Sequence, residues 1–237
     1  MGNTVFHPAS TRIHANLGWL EAYRSFHPVE APEPSRHAFG ALLILNEDIV
    51  AAGRGFGRHP HQNVEIITLP LRGALVHEDS LGHTAVIRAG DVQVMSAGTG
   101  IVHSEKNHSA EQPVHFLQIL LATNQPNRAP RYEQQPIAPG RPNQFQQLAG
   151  PCPAATGVGL RQQAWLQLGE LTAGAETTYE VQQPGNGVYA LVLSGRVRIN
   201  AQSLGPFDGF GTWDTPPLRV QADSAARVLL LEVPMLA

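Results

Sequence analysis

Two short stretches carry side chains whose types and spacing could do chemistry. His59-Pro60-His61 places two imidazoles at i and i+2, and Gly98-Thr99-Gly100-Ile101-Val102-His103-Ser104-Glu105 ends in an imidazole and a carboxylate at the same spacing. On a β-strand, residues i and i+2 face the same way. Two neighbouring strands of this kind would aim His59, His61, His103 and Glu105 at one point. Neutral imidazoles with one carboxylate suit a single borderline divalent transition ion: Fe, Mn, Co, Ni, Cu or Zn. Four protein donors on a six-coordinate ion leave two positions open, as a catalytic rather than a structural site requires. With a redox metal those positions suit dioxygen and an organic substrate; with zinc they suit water activation.

Other polar groups offer weaker alternatives. Glu65 is a rival ligand, because His61-x3-Glu65 keeps it on the face of the histidine pair if no bulge intervenes. Ser104 does not make a hydrolase triad, since on a strand it points away from His103 and Glu105. Gly98-Thr99-Gly100 lacks the Lys-Ser/Thr and the following helix of a phosphate loop and reads as a tight turn. His77, His83 and His108 flank turn signals and are expected to be solvated. His115 precedes an apolar strand, where it lines a cavity, orients a ligand or is a satisfied core histidine.

The elements that must position these groups are read as strands. The chain has 237 residues, 42% hydrophobic, with 23 Gly and 19 Pro scattered among short Val/Ile/Leu runs. That pattern indicates an all-β chain with frequent turns. After an irregular segment over 1–35 with one apolar element at Leu17–Tyr23, strands are expected at Ala41–Leu45, Val64–Leu69, Leu71–Val76, Ala85–Ile87, Val92–Met95 and Val114–Leu121. Turns are expected at Asn46-Glu47-Asp48, Glu78–Gly82 and Ala89-Gly90-Asp91. Residues 126–150, rich in Gln, Asn, Pro and Arg, read as a linker between an N-terminal domain over 1–125 and a C-terminal domain over 151–237. The second half repeats the first in order: Leu191–Val197 echoes Leu69–Leu75, Leu204-Gly205 echoes Leu81-Gly82, and Val228–Val233 echoes 114–121. All eleven histidines lie within the first 115 residues, so imidazole chemistry belongs to the first unit.

The totals narrow the function. The net charge of −3, with charges interspersed, leaves no electrostatic footprint for nucleic acid or an anionic membrane. No apolar run approaches the roughly 20 residues that span a bilayer. No basic segment leads into an apolar run at the N-terminus, so no signal peptide is expected. The single Cys152 fits a reducing compartment, and a cytoplasmic location is the expectation.

The chain resembles the pirin family of bicupins. The resemblance runs from about Gly18 to Leu121 through Gly57-Arg58-His59-Pro60-His61, Glu65, Asp79-Ser80-x-Gly82, Gly90-Asp91-x-Gln93-x-Met95-Ser96-Ala97-Gly98-x-Gly100-Ile101 and His103-Ser104-Glu105, and covers the second half in outline. It implies two cupin (jelly-roll) β-barrels packed face to face, with one metal in the first, held at His59, His61, His103 and Glu105. Fe(II) is the first expectation, with Ni, Co, Cu, Mn or Zn as alternatives. Glu65 is then not a ligand. Relatives include flavonol 2,3-dioxygenases, which open the heterocyclic ring of quercetin with dioxygen and release carbon monoxide, and metal-bound coregulators that act through protein partners. The resemblance thus implies a flavonol and O2 as substrates, Glu105 as ligand and proton acceptor, and an apolar pocket with Phe56, Ile66, Met95, His115 and Phe116 as expected lining. A regulatory module engaging a protein partner and a zinc isomerase or hydrolase are the other readings. The chain departs from many relatives at Leu69-Pro70-Leu71-Arg72-Gly73 and at Val94, and Pro70 calls for an edge or bulge.

Overall fold

The structure, a computed structural model, describes residues 2–29, 33–214 and 217–235. In the first half the strands are β1 (Asn3–His7), β2 (Ile13–Asn16), β3 (Leu20–Phe26), β4 (Leu42–Val50), β5 (Gly55–His61), β6 (Val64–Arg72), β7 (Ala74–Asp79), β8 (Thr84–Arg88), β9 (Asp91–Ser96), β10 (Ile101–Asn107) and β11 (Val114–Ala122). The second half adds β12 (Arg131–Pro136), β13 (Phe145–Pro151), β14 (Val158–Leu160), β15 (Trp165–Leu171), β16 (Glu176–Tyr179), β17 (Asn186–Ser194), β18 (Val197–Ile199), β19 (Gln202–Leu204), β20 (Gly209–Trp213), β21 (Leu218–Ala222) and β22 (Ala226–Pro234). Helix among the described residues is limited to 3-10 turns at Ala9–Thr11 and Pro34–Arg36.

These strands form four sheets that repeat one plan twice. A seven-stranded sheet runs β12-β9-β6-β11-β4-β3-β2, and its counterpart runs β1-β20-β17-β22-β15-β13-β14. Each is backed by a four-stranded sheet, β5-β10-β7-β8 in the first half and β16-β21-β18-β19 in the second. The sheets of each half stay separate ladders, so each cupin unit is a two-sheet jelly roll rather than a closed barrel. The repeat is marked at equivalent bends, Gly73 between β6 and β7 and Gly195 between β17 and β18, both with φ near +80°. Only glycine holds that conformation without steric cost.

Strand alternation decides what each sheet face covers. On one face, Ile67 and Leu69 of β6, Leu117, Ile119 and Leu121 of β11, Tyr189, Leu191 and Leu193 of β17, and Leu229, Leu231 and Val233 of β22 share a single core. The two seven-stranded sheets are therefore packed face to face. Inside the second unit, Tyr179, Val197, Ile199, Leu218, Val220 and Ala222 join Val188, Val192 and Leu230 in a continuous apolar filling.

The interior of the first unit is built differently. Along β11, Phe116, Gln118 and Leu120 alternate inward, and along β4 so do Ile44, Asn46, Asp48 and Val50. Phe116 and Val50 belong to one small apolar cluster, while Leu120, Ile66 and Met95 belong to another, with Ile44 packed against it. Between them lies a belt of buried polar groups, Asp48, Thr68, Gln93, His77, His103 and Glu105.

Several expectations are corrected here. Asn46-Glu47-Asp48 is not a turn but the middle of β4, its polar side chains serving the belt on one face and a Glu47 ion pair on the other. The stretch expected as a linker holds β12 and most of β13, because the exposed edge of β9 is closed by β12, paired Arg131↔Ser96 to Pro136↔Asp91. The segment 1–35 contributes three strands, and β1 pairs with β20 of the second unit. Pro70 sits where β6 has left β9 and where the pairing with β11 shifts register, so its missing N–H breaks no ladder.

Candidate metal centre

The site begins with the pairing of β5, β10 and β7. His103 lies directly across from His59 on one side and from Asp79 on the other. Glu105 is opposite Phe56 and, on the other strand, opposite His77. The register of β5 shifts by one residue between His103 and Glu105, a bulge that re-aims the β5 side chains beside the site. Gly55 permits this approach: a Cβ there would lie 2.3 Å from the Glu105 carbonyl oxygen and 2.5 Å from Lys106 Cα.

The three predicted histidines converge. Ring centroids are 4.4 Å apart for His59 and His103, 4.9 Å for His59 and His61, and 5.0 Å for His61 and His103. Their candidate ligand atoms all fall within 4.8 Å of one another. His59 Nδ1–H donates to the Gly57 carbonyl at 2.8 Å, which leaves Nε2 as the ring's lone-pair donor. Burial lowers His61 to about 4, helped by the adjacent His59, and lowers His103 to about 3, helped by His59 and His61. The His61 and His103 rings are therefore neutral near pH 7 and can bind a cation.

Glu105 is 3% exposed, and one of its oxygens accepts the Thr68 hydroxyl at 3.1 Å. Burial pushes its carboxyl up to about 7, against the Thr68 hydrogen bond and with the nearby Asp48 adding to the rise. Asp48 is likewise raised to about 7 by burial. Glu105 groups by distance with His103 and His77 rather than with all three predicted histidines at once, and that second set also falls within 4.8 Å.

The donor set fits a divalent transition ion. His103 is 1% exposed, yet neither of its ring nitrogens has a hydrogen-bond partner. An unmet buried polar group costs about 1–3 kcal/mol, and a bound ion would satisfy one of these nitrogens. A cation would also offset the crowding of two buried carboxyl groups.

The remaining residues singled out from the sequence fall elsewhere. Glu65 is turned out of the first unit: it accepts the Ser96 hydroxyl at 2.7 Å and the Arg161 backbone N–H at 3.0 Å. Asn63, with φ of 54°, lies in the break between β5 and β6, so parity does not carry through to Glu65. Phe56 borders a cleft of about 160 Å³ beside the histidines, with Ile44, Asn46, Asp48, Gln118 and Leu120 completing its wall. Three polar side chains, Asn46, Asp48 and Gln118, are set into that lining, whose exposed surface is mainly apolar. Ile66 and Met95 are buried in one apolar cluster and Phe116 in the other. His115 faces the opposite side of β11, where its Nε2–H donates to Glu47 at 2.9 Å. His108 and His83 are exposed, but His77 is fully buried. A larger cavity of about 210 Å³ lies between the units near Ile137–Arg141, and it has no imidazole or thiol.

Sequence reasoning missed His77, Asn46, Asp48 and Gln118. For His77 a signal existed: His77-x-Asp79 repeats the i, i+2 spacing of the other two pairs on the third strand of the same sheet.

Two jelly rolls of matching strand order, one with a histidine–carboxylate belt and one filled with apolar side chains, define a bicupin. Comparison with known proteins agrees. A family model described as Pirin matches residues 6–121, and one described as quercetinase C-terminal cupin domain matches residues 147–233. The chain belongs to the pirin family. It is 34% identical to the quercetin 2,3-dioxygenase of Escherichia coli K12, over 95% of this chain and 96% of that one. It is 35% identical to a pirin-like protein of Caulobacter vibrioides, over 92% and 94%. The crystal structure of the bacterial pirin YhhW from Escherichia coli in complex with nickel(II) superposes with a TM-score of 0.92 at 33% identity, covering 99% of this chain and 100% of that one.

Proposed function

We propose that this protein is a metal-dependent flavonol 2,3-dioxygenase of the quercetinase type, opening the heterocyclic ring with O2 and releasing CO. The observation that carries the reading is the convergence of His59, His61 and His103, beside a small cleft that His59, His61 and the buried Glu105 line and that Phe56 borders. The relatives named for that reaction, and the nickel bound to one bacterial pirin, support it. His59, His61, His103 and Glu105 would hold one divalent transition ion, with Fe(II) and Ni(II) as the first to test. When bound, the ion supplies Lewis acidity that favours an ionised substrate hydroxyl and a path for electrons towards dioxygen.

The chain's own residues do the rest. Glu105 takes the proton of the flavonol 3-hydroxyl on the oxygen that Thr68 does not hold, and burial, which raises the ion-free carboxyl, favours its accepting that proton while a bound cation opposes it. Phe56, Ile44 and Leu120 pack against the aromatic rings. Asn46 Oδ1 is buried without a donor and borders the cleft, so it accepts a hydroxyl of a polyphenol. At about 160 Å³ the cleft is smaller than the roughly 300–1,000 Å³ of pockets that enclose a whole drug-sized ligand. It admits part of a flavonol and leaves the remainder at the mouth.

The test is oxygen uptake and carbon monoxide release with quercetin, before and after reconstitution with Fe(II), Ni(II), Co(II) or Cu(II). Metal-dependent uptake with one CO released per O2 consumed is the expected result. Stoichiometric metal with no uptake on any flavonol would overturn the enzyme reading and favour a regulatory module acting through a protein partner.

A further inference from the structure

We propose that His77 is an additional metal donor, and that His77, His103 and Glu105 form a second, fully buried station for the ion behind the cleft-facing one made by His59, His61 and His103. The inference rests on the metal reading above and adds a residue and a position to it. Four observations converge on His77. It is 0% exposed, on β7, directly opposite Glu105 of β10. Its Nε2–H donates to Asp79 at 3.0 Å, and Asp79 is itself fixed by the backbone N–H groups of Leu81 and His83. That bond leaves the ring's lone pair on Nδ1, which is buried with no partner. The candidate ligand atoms of His77, His103 and Glu105 lie within 4.8 Å of one another.

An imidazole whose far nitrogen donates to a fixed carboxylate is the usual form of a metal-ligating histidine. A solvated histidine would not leave Nδ1 without a partner, because water would satisfy it. His103 is common to both triads, and both of its nitrogens are unpartnered, so it can serve either station. His59 and His61 are half-buried at the cleft, whereas all three donors of the inner set are buried. An ion in the inner set is held away from the cleft except through Glu105. Exchanging the His59–His61 pair for His77 would move the ion between a substrate-accessible and a sheltered position without releasing it.

The experiment is Co(II) titration by calorimetry and visible absorption of three full-length proteins: wild type, the His59→Ala/His61→Ala double variant, and that double variant carrying His77→Gln as well. Glutamine keeps an N–H for Asp79 but removes the imidazole. The double variant should still bind one equivalent of Co(II), and the third substitution should weaken that binding at least 100-fold. In the Co(II)-loaded double variant, proton NMR should show two paramagnetically shifted imidazole N–H signals, from His77 and His103. This readout decides the matter even if the triple variant fails to fold. Co(II) binding to the wild type but not to the double variant, equal binding by the double and triple variants, or a single shifted imidazole signal would each overturn the inner station and leave the proposed function standing. No uptake by the wild type would overturn both.

Discussion

In the proposed reaction Glu105 would meet two demands with one carboxyl: ionised, to hold a cation, and able to take a proton from a bound hydroxyl. Burial raises the ion-free carboxyl and the Thr68 hydrogen bond opposes that rise. Glu105→Gln keeps the size and the Thr68 contact but removes the proton acceptor. Ring-cleaving turnover should fall about 100-fold or more, the scale of a lost general base, while the three imidazoles keep some metal. Full turnover with metal bound would refute the base role. At this scale the sequence is readable where period-two spacing is unobscured, as at His59 and His61, whose rings meet that of His103 in the structure. It is misleading where polar residues in a strand imitate a turn. Asn46-Glu47-Asp48 has turn composition, and only the neighbouring strands β11 and β3 make it the middle of a buried ladder. His77 is masked in the same way by Ser80-Leu81-Gly82, which form a real turn just after it.

The strands β5, β10 and β7 are neighbours in one sheet, and the site's geometry follows from their register. Gly55 is a tight point in that sheet. Gly55→Ala would drive a Cβ into the backbone of Glu105 and Lys106, atoms that cannot swing aside. It should cost about 1–3 kcal/mol, the scale of overpacking, and weaken Ni(II) or Co(II) binding by pushing β5 off β10. Gly57, whose Cβ would meet nothing within 4 Å, provides the control: Gly57→Ala should leave both quantities nearly unchanged. Melting temperature and metal affinity for the two variants check this, and equal effects would show that the β5–β10 approach does not govern the site. The long strands β4, β6, β11, β17 and β22 are legible from their apolar runs, but the partners of β1 and β12 are not. Edge pairing over such sequence distances is decided by which sheet edge is open, and no local pattern encodes that.

The two units are joined by more than a shared core, because each completes the other's sheet. β1, from the start of the chain, closes the edge at β20, and β12, from beyond the first unit, closes the edge at β9. His7 on β1 is buried at this junction, packed edge-on against Phe26, with the Tyr189 hydroxyl 3.1 Å from its Nδ1. Burial, with Arg36 nearby, lowers it to about 4 from an ordinary 6.5. A histidine lowered on folding binds more protons unfolded than folded between those values. Its neutral form therefore supports the fold fully above about pH 6.5, and that support is lost as pH falls towards 4. The span corresponds to about 3 kcal/mol. Stability should drop over pH 6.5–4 less steeply in His7→Gln than in wild type, as read by urea unfolding at each pH; parallel profiles would contradict the assignment. The exchanged strands also decide whether the first unit can live alone. A fragment over residues 1–125 would strip β20 from β1 and β12 from β9, and would expose Ile67, Leu69, Leu117, Ile119 and Leu121. Each such side chain contributes roughly 1.5–3 kcal/mol when buried, so the loss rivals the roughly 5–15 kcal/mol net stability of a typical protein. The fragment, although it carries every histidine, should be insoluble or lack a cooperative thermal transition. A soluble 1–125 fragment that melts cooperatively and binds metal would show that the second unit is dispensable and that the exchanged strands do not hold the first one together.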